Sequence, residues 1–413
     1  MCVEGVDGRQ LHFYTNTSRL EKHLLDLSPQ DADLIREFTD GIRSFSRMQL
    51  PVDMTASSGA EMAQIGRKML PVLLPTLQWL NISLPEFASR FKDPLLREGL
   101  PRFFQFIPPD YPMMMCLSTL AAMSDHESGY PIGGSLPIAR ALESRYRALG
   151  GLLRYKARVR RILTENERAV GVELDSGETI NADQVVSAAD GRQTIYKLLD
   201  GRYLDEDLGA CYQGEMHPSQ SIIQVSLGVA KDYSVLPPAI DFPLPEPVYI
   251  GNLRHERLTL KHYCFDPSMA AAGKSVLSVW CAADHTYWRW LASNRQCYIA
   301  HKQEVGQVVE DTLEKRLPGF KAALEVIDVA TPLTYERYTG NWQGAFAGWG
   351  MSHRKMKYMM GKGMPKTLPG LANFYMCGQW VEPGGNVELS CASGRDVIKD
   401  MCQDLGLGFR TRV

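Results

Sequence analysis

The residues best placed to do chemistry lie near the C-terminus, in CGQWVEPGGNVELSCASGR from Cys377 to Arg395. The run from Phe374 to Cys377 reads as a strand. Gly378 permits an abrupt turn out of it, and Gly384 and Gly385 lead into a helix that starts near Glu388. The first turns of that helix carry small residues: Cys391, Ala392, Ser393 and Gly394. A helix N-terminus offers unpaired N–H groups and the positive end of the dipole, which suits an anion or an electron-rich carbonyl. Small side chains there let a second backbone or a flat ring come close. The same residues also fit a tight loop with a close helix contact, so the motif alone leaves both readings open.

Other chemistries find less support. The nine histidines show no HxxxH or HExxH spacing and have no Cys or Asp cluster beside them, so no metal site is expected. His255 and His262, in a strand-turn region, do not make one. The nine cysteines are scattered singly without a CxxC pair, which fits reduced thiols better than a disulfide framework. No GxSxG elbow occurs. AAAGKSV ends like a phosphate loop, but Ser268 stands where its first glycine would be, and Gly273-Lys274 reads as a turn. Arg337 and Tyr338, in TYERYTGN, are as readily structural as catalytic. No catalytic residue is assigned.

Several elements must position the glycine turn. Residues 18 to about 127 read as mainly helical. Ser28-Pro29 with Asp31 is a helix start, followed by Leu34, Ile35, Phe38, Ile42 and Phe45 at three- and four-residue steps. From Tyr130 a Pro and Gly cluster leads into a helix with Ile138, Leu142, Tyr146 and Leu149 on one face, closed by Gly150-Gly151. LRYKARVRRIL is extended. AVGVELDSGETINAD is a hairpin turning at Asp175-Ser176-Gly177, and Val185-Val186 is a short buried strand with a sharp exit to Asp190. From 219 to 345 the strands SIIQVSLGV, EPVYIGNL, KHYCFD and SVLSVWCAA are antiparallel in character, interrupted by a helix from Ala300 to Arg316.

Composition bounds the rest. A chain of 413 residues has room for two or three domains of roughly 150 residues. Its 45 basic and 47 acidic residues and 45 % hydrophobic content describe an ordinary globular protein and argue against disorder. The near-neutral charge removes the electrostatic case for binding nucleic acid. The N-terminus has no basic segment followed by an apolar core, so no signal peptide is read there, and no run reaches the about 18 apolar residues of a membrane span. A cytoplasmic location is expected. MLPVLLPTLQWL (Met69 to Leu80) and MMMCLSTLAAM (Met113 to Met123) read as buried helix, or as the wall of an apolar tunnel or a patch touching a membrane surface.

Four segments in order resemble the phytoene dehydrogenase-like flavoproteins, the carotenoid desaturase and isomerase and retinol saturase group of FAD-dependent oxidoreductases. They are YPIGGSLPIARALESRYRALGG; VRRIL with its hairpin and ADQVVSAAD; TPLTYERYTGNWQGAFAGW; and LPGLANFYMCGQWVEPGGNVELSCASGR. The resemblance runs through nearly all of residues 10 to 402. It implies a mixed α/β fold: an FAD/NAD(P)-binding Rossmann-like domain, incomplete at its N-terminal end, interleaved with a mixed-sheet and helical substrate domain. The first would comprise residues 1–27, 130–212 and 350–413, and the second residues 28–129 and 213–349.

The resemblance also implies site residues. The Val159 backbone would face the adenine of FAD. Gly378 and Gln379 would pass the pyrophosphate and ribityl chain. Gly384, Gly385, Val387 and Glu388 would lie beside the isoalloxazine ring, although Asn386 stands where a third glycine is common. Tyr130, Gly133 and Gly134 would line the substrate pocket. The family's N-terminal GxGxxG unit, which grips the ADP part of FAD, has no counterpart in the sequence. A truncated form, a start at an internal Met and a lost unit are all compatible with that. The implied function is hydride transfer between flavin and the C–C or C=C bonds of an apolar polyene or isoprenoid. Two alternatives stay open: a degenerate homologue without flavin that binds an apolar ligand or a partner, and an amine-oxidase-like flavoenzyme.

Overall fold

The computed structural model describes residues 1–46, 77–79, 81–350, 364–382 and 387–410. The chain opens with a tight hairpin, β1 (Cys2–Glu4) against β2 (Gln10–His12). α1 (Thr17–Leu27) starts where the Asn16 side chain accepts the Arg19 N–H. At the predicted start at Ser28, Pro29–Asp31 forms a 3-10 turn, and α2 (Ala32–Ser46) follows. Ile35, Phe38, Ile42 and Phe45 are buried, as their spacing requires, while Leu34 is only partly covered. Asp31 does more than face a helix dipole. Its buried carboxylate accepts the Ser28 hydroxyl at 2.8 Å and the N–H groups of Lys92 and Asp93 at 2.9 and 3.0 Å.

α3 (Leu84–Ser89) is capped reciprocally by Ser83 and Glu86, and α4 (Pro94–Gly99) by the Asp93 carboxylate. α5 (Met113–Ser124) contains MMMCLSTLAAM and buries Met113, Cys116, Leu117, Leu120 and Ala121. With α1, α2 and the first hairpin these helices enclose one core around Leu24, Phe38, Phe87 and Leu117. MLPVLLPTLQWL lies outside the described residues except for 77–79, of which Trp79 is buried in this core. No helix among the described residues is long and apolar enough to cross a membrane.

α6 (Ser135–Ala148) forms over the predicted span, but none of its residues is buried. Leu136, Leu142, Tyr146 and Leu149 stand at the surface. Three strands follow as an antiparallel sheet: β3 (Val159–Glu165), β4 (Arg168–Leu174) and β5 (Thr179–Asn181). The β4–β5 turn falls at Asp175–Gly177, as its residues predicted. β6 (Val185–Ser187) alternates: Val185 is buried and Val186 is 42 % exposed.

A larger sheet is built from β7 (Ile222–Val229), β8 (Ala239–Ile250), β9 (Leu253–His262) and β10 (Ser275–Ala282). α7 (His285–Leu291) and α8 (Arg295–Arg316) follow, then β11 (Leu324–Ala330) and α9 (Pro332–Thr339). Strand order is β11-β7-β10-β9-β8-β1-β2. The N-terminal hairpin, expected to accompany the cofactor-binding part, extends this sheet instead, with β1 parallel to β8 and Cys2 opposite Ile240. Side chains alternate between the two faces. Val225, Leu227, Leu258, Leu260, Leu277 and Val279 point to one face, where Val305, Val309 and Leu313 of α8 cover them. On the opposite face, the Arg257 guanidinium donates to Asp241 at 2.6 Å and to the Glu4 carbonyl at 2.6 Å, so one ion pair holds three strands together.

β12 (Phe374–Met376) and α10 (Val387–Asp404) complete the described chain. β12 pairs in parallel with β6, and Trp349, Trp380 and Tyr212 pack into a third core beside the pair.

Candidate functional site

The parallel register of β6 and β12 sets Val185 against Phe374 and Ser187 against Met376, so both strands leave the pair at the same end. Ligands of open α/β sheets lie outside that end. The Cys377 N–H still bonds the Ser187 carbonyl at 3.0 Å, and then the chain turns at Gly378, where φ is +94°. The Gly378 N–H donates to the buried Ser393 hydroxyl of α10 at 3.0 Å, while the Gly378 carbonyl accepts from Val381 and Glu382. Among the small residues in the first turns of α10, Ser393 thus fastens the glycine turn to the helix.

Asn341 gathers the surrounding pieces. Its Oδ1 accepts from Gln379 Nε2 at 3.1 Å and from Trp380 Nε1 at 3.3 Å, and its Nδ2 donates to the Ala345 carbonyl at 3.0 Å. Next to it, the Trp342 N–H donates to Asp190 at 2.7 Å, and the Gln193 N–H to the other Asp190 oxygen at 2.7 Å. Burial pushes the Asp190 carboxyl above the ordinary range, and these backbone bonds offset part of that. The exit of β6, the exit of β12 and the segment 341–349 are therefore one hydrogen-bonded unit. Beside it lies a polar cavity of about 270 Å³ lined by Asp190, Gln193, His285, Arg289 and Glu336 among others. Glu336 hydrogen-bonds His285 at 3.1 Å and pairs with Arg289 at 2.6 Å, so its carboxylate is satisfied and no nucleophile stands with it.

The second face of the large sheet carries Gln224 and Ser226 from β7, Ser278 and Trp280 from β10, and Thr259 and Lys261 from β9. Lys261 Nζ lies 3.8 Å from the centre of the Trp280 ring, and Phe346 meets the same ring edge-on at 5.2 Å. The Tyr335 hydroxyl donates to Gln224 Oε1 at 2.9 Å. Burial lowers the Lys261 ammonium to about 8 and raises Tyr335 to about 12. Beyond the end of β9, Tyr130 packs on Tyr263 and Phe265 at 5.8 and 5.0 Å, and the Gly133 N–H donates to Asp266 at 2.6 Å. The outcome is a wall, half open to solvent, with one aromatic cluster at Tyr130, Tyr263 and Phe265, another at Trp280 and Phe346, and Lys261 and Ser278 between them in the strand register.

Among the residues predicted for the site, Gly378 and Gln379 come together with Asn341. Val387 and Glu388 stand exposed in the first turn of α10. Gly384 and Gly385 lie outside the described residues. Tyr130, Gly133 and Gly134 lie at the end of β9, with Gly134 capping α6. Val159 is on the separate three-stranded sheet, opposite Leu174. Tyr338 is 77 % exposed, with Arg337 over its ring, and neither reaches the turn. Among the described residues no group of three or more His, Cys, Asp or Glu forms a metal cluster. Sequence reasoning missed Asn341, Lys261 and Gln224. Alternation in SIIQVSLGV could have found Gln224, the polar residue on the face opposite the core.

Comparison with known proteins bears on the whole arrangement. Residues 81–401 match the family described as flavin containing amine oxidoreductase. Prolycopene isomerase of Daucus carota is 29 % identical over 283 residues, which are 67 % of this chain and 45 % of that protein. The chain thus spans about half the length of the curated isomerases it matches. The 4,4'-diaponeurosporene oxygenase of Staphylococcus aureus (strain MW2) is 26 % identical over 409 residues, 95 % of this chain and 79 % of its own. Among solved structures, a putrescine oxidase redesigned in cofactor binding superposes with a TM-score of 0.59 at 11 % identity, covering 98 % of this chain and 80 % of its own. An oxidoreductase from Methanosarcina mazei gives 0.52 at 16 %, covering 81 % and 72 %. The mixed α/β fold is shared with these proteins.

Proposed function

The chain belongs to the flavin-containing amine oxidoreductase family, and from that premise we propose that it is an oxidoreductase acting on C–C or C=C bonds of an apolar, polyene-like substrate. The observation that carries this reading is the wall from Tyr130 to Phe346, with its two aromatic clusters. It continues through the segment 341–349 to the Gly378–Gln379 turn, so a long apolar molecule on the wall would reach the glycine turn. Two relatives named for polyene substrates, the prolycopene isomerase and the diaponeurosporene oxygenase, support it.

The cofactor of the family is FAD. The residues present fit its flavin-bearing end. Gly378 exposes backbone at the ends of two parallel strands, with no side chain in the way. Gln379 is held by Asn341, and Ser393 ties the turn to α10, whose first turn carries Val387 and Glu388. Toward the nucleotide end the chain offers the Val159 backbone but no GxGxxG turn. When bound, a flavin supplies hydride acceptance or return. The protein's own part is orientation and exclusion of water. The Asn341 and Asp190 hydrogen bonds fix the turn, while Trp280, Phe346 and Tyr263 flank the apolar chain of the substrate. Residues 130–212 with 364–382 and 387–410 are assigned to the cofactor-binding part, and the large sheet with α1 to α5 to the substrate part.

A second reading, polyene binding without turnover, is favoured by α6, whose apolar face nothing among the described residues covers. One experiment separates the two. The chain is purified after expression with FAD supplied, its absorption spectrum is recorded, and it is mixed without oxygen with lycopene or phytoene in detergent. Flavin bands that co-elute and bleach, or a polyene product resolved by chromatography, are expected. Bound polyene with no flavin bands supports the second reading. Bleaching by diamines and not by polyenes sinks both and points to amine oxidation.

A further inference from the structure

Lys261 is a half-buried cation for which the described residues supply no counter-charge. Its ammonium rests on Trp280, and it makes no hydrogen bond or ion pair with any of them. The neighbours on that face do not answer for it. Gln224 is engaged by Tyr335 and Ser226, and Trp280 offers only its ring face. A cation over an indole is attracted by the ring face, but the ring leaves the three N–H donors of the ammonium unsatisfied. A half-buried ammonium with bare donors in aromatic surroundings is costly unless something accepts from it.

We propose that Lys261 receives the carboxylate end of an elongated apolar ligand that lies along the wall. A carboxylate brings both the missing charge and the acceptor oxygens, while Trp280, Phe346 and Tyr263 flank the hydrocarbon that trails from it. A purely hydrocarbon end would leave the ammonium bare. Burial keeps the lysine below its ordinary range, at about 8, and so still largely charged at neutral pH. The inference rests on the reading of this face as the substrate wall and adds the end-group chemistry that the wall selects.

The test uses the full chain and two polyenes of one length that differ at the end group, all-trans-retinoic acid and all-trans-retinol. Binding is followed by quenching of tryptophan fluorescence. A charge-assisted hydrogen bond of about 1.5–3 kcal/mol predicts that the acid binds about tenfold or more tighter than the alcohol. Lys261→Met should abolish that preference by weakening the acid far more than the alcohol, whose hydroxyl loses only a neutral hydrogen-bond partner, and Lys261→Arg should retain it. Circular dichroism checks that the variants fold. If Lys261→Met does not fold, the wild-type ratio and Lys261→Arg decide. Equal wild-type affinities, or a preference that survives in Lys261→Met, would overturn the assignment and leave the polyene reading standing. Absence of binding by either ligand would overturn both.

Discussion

Gly348 and Gln379 meet backbone to backbone: a Cβ built on Gly348 would stand 2.8 Å from the Gln379 carbonyl oxygen and 3.2 Å from its Cγ, and Gly348 has φ of +66°. The contact lets the segment 341–349 lie flat against the glycine turn, where Asn341 reaches Gln379 and Trp380. Gly348→Ala brings both a strained backbone, about 1–3 kcal/mol, and a displaced Gln379. The urea midpoint should fall, and the flavin retained per chain should fall with it. A variant with unchanged midpoint and flavin content would show that the turn does not depend on this contact.

Asp241 and Arg257 are 8 % and 13 % exposed and bonded at 2.6 Å, with Thr259 donating to the second Asp241 oxygen at 2.8 Å. Removing one member leaves a buried charge without its partner. Arg257→Met should cost about 3–5 kcal/mol in chemical denaturation, and Arg257→Met with Asp241→Leu should recover much of it. Arg257 also holds the Glu4 carbonyl, so the single variant should expose the N-terminal hairpin to protease sooner than the wild type. Equal stability of single and double variants would contradict a coupled pair.

Much of this architecture was legible in the sequence, for identifiable reasons. Runs rich in Val, Ile, Tyr and Cys marked β7 and β10, alternation and turn residues marked the β4–β5 hairpin, and a strand followed by Gly378 marked the turn. What stayed hidden depends on contacts between distant segments. Asn341 becomes a hub only because Gln379 and Trp380 fold onto it. Lys261 stands out only when the β9–β10 register sets it beside Trp280 with no carboxylate of the described residues paired to it. Short strands such as β1 and β2 carry too little pattern to reveal their sheet. The spacing in α6 shows which face is apolar and says nothing of what lies against it.

Asp31 gives the chain an acid-sensitive tie between α2 and α4. Burial alone would raise its carboxyl, but the N–H groups of Lys92 and Asp93 and the Ser28 hydroxyl outweigh that and hold it below the ordinary range. As pH falls past about 4, the unfolded carboxyl takes up a proton before the native one does. The stabilisation is therefore complete above that pH and lost as pH falls through the depressed native value. Asp31→Asn should destabilise the chain by about 1–3 kcal/mol at neutral pH, and the gap between wild type and variant should close in acid. Urea midpoints from pH 7 to pH 3 measure it; a gap independent of pH would assign the loss to packing instead.

The α6 face yields the last expectation. Leu142, Tyr146 and Leu149 share that face and are 58 %, 50 % and 69 % exposed. An exposed apolar surface of this kind favours self-association and binding of apolar dyes. Because none of the described residues packs tightly against these leucines, polar replacement removes the liability without loss of core. Leu142→Lys combined with Leu149→Lys should lower self-association in sedimentation and weaken dye fluorescence, while folding stability moves by no more than about 0.5 kcal/mol for each exposed site. A loss of several kcal/mol would mean that α6 is packed in solution, against the exposure of its leucines.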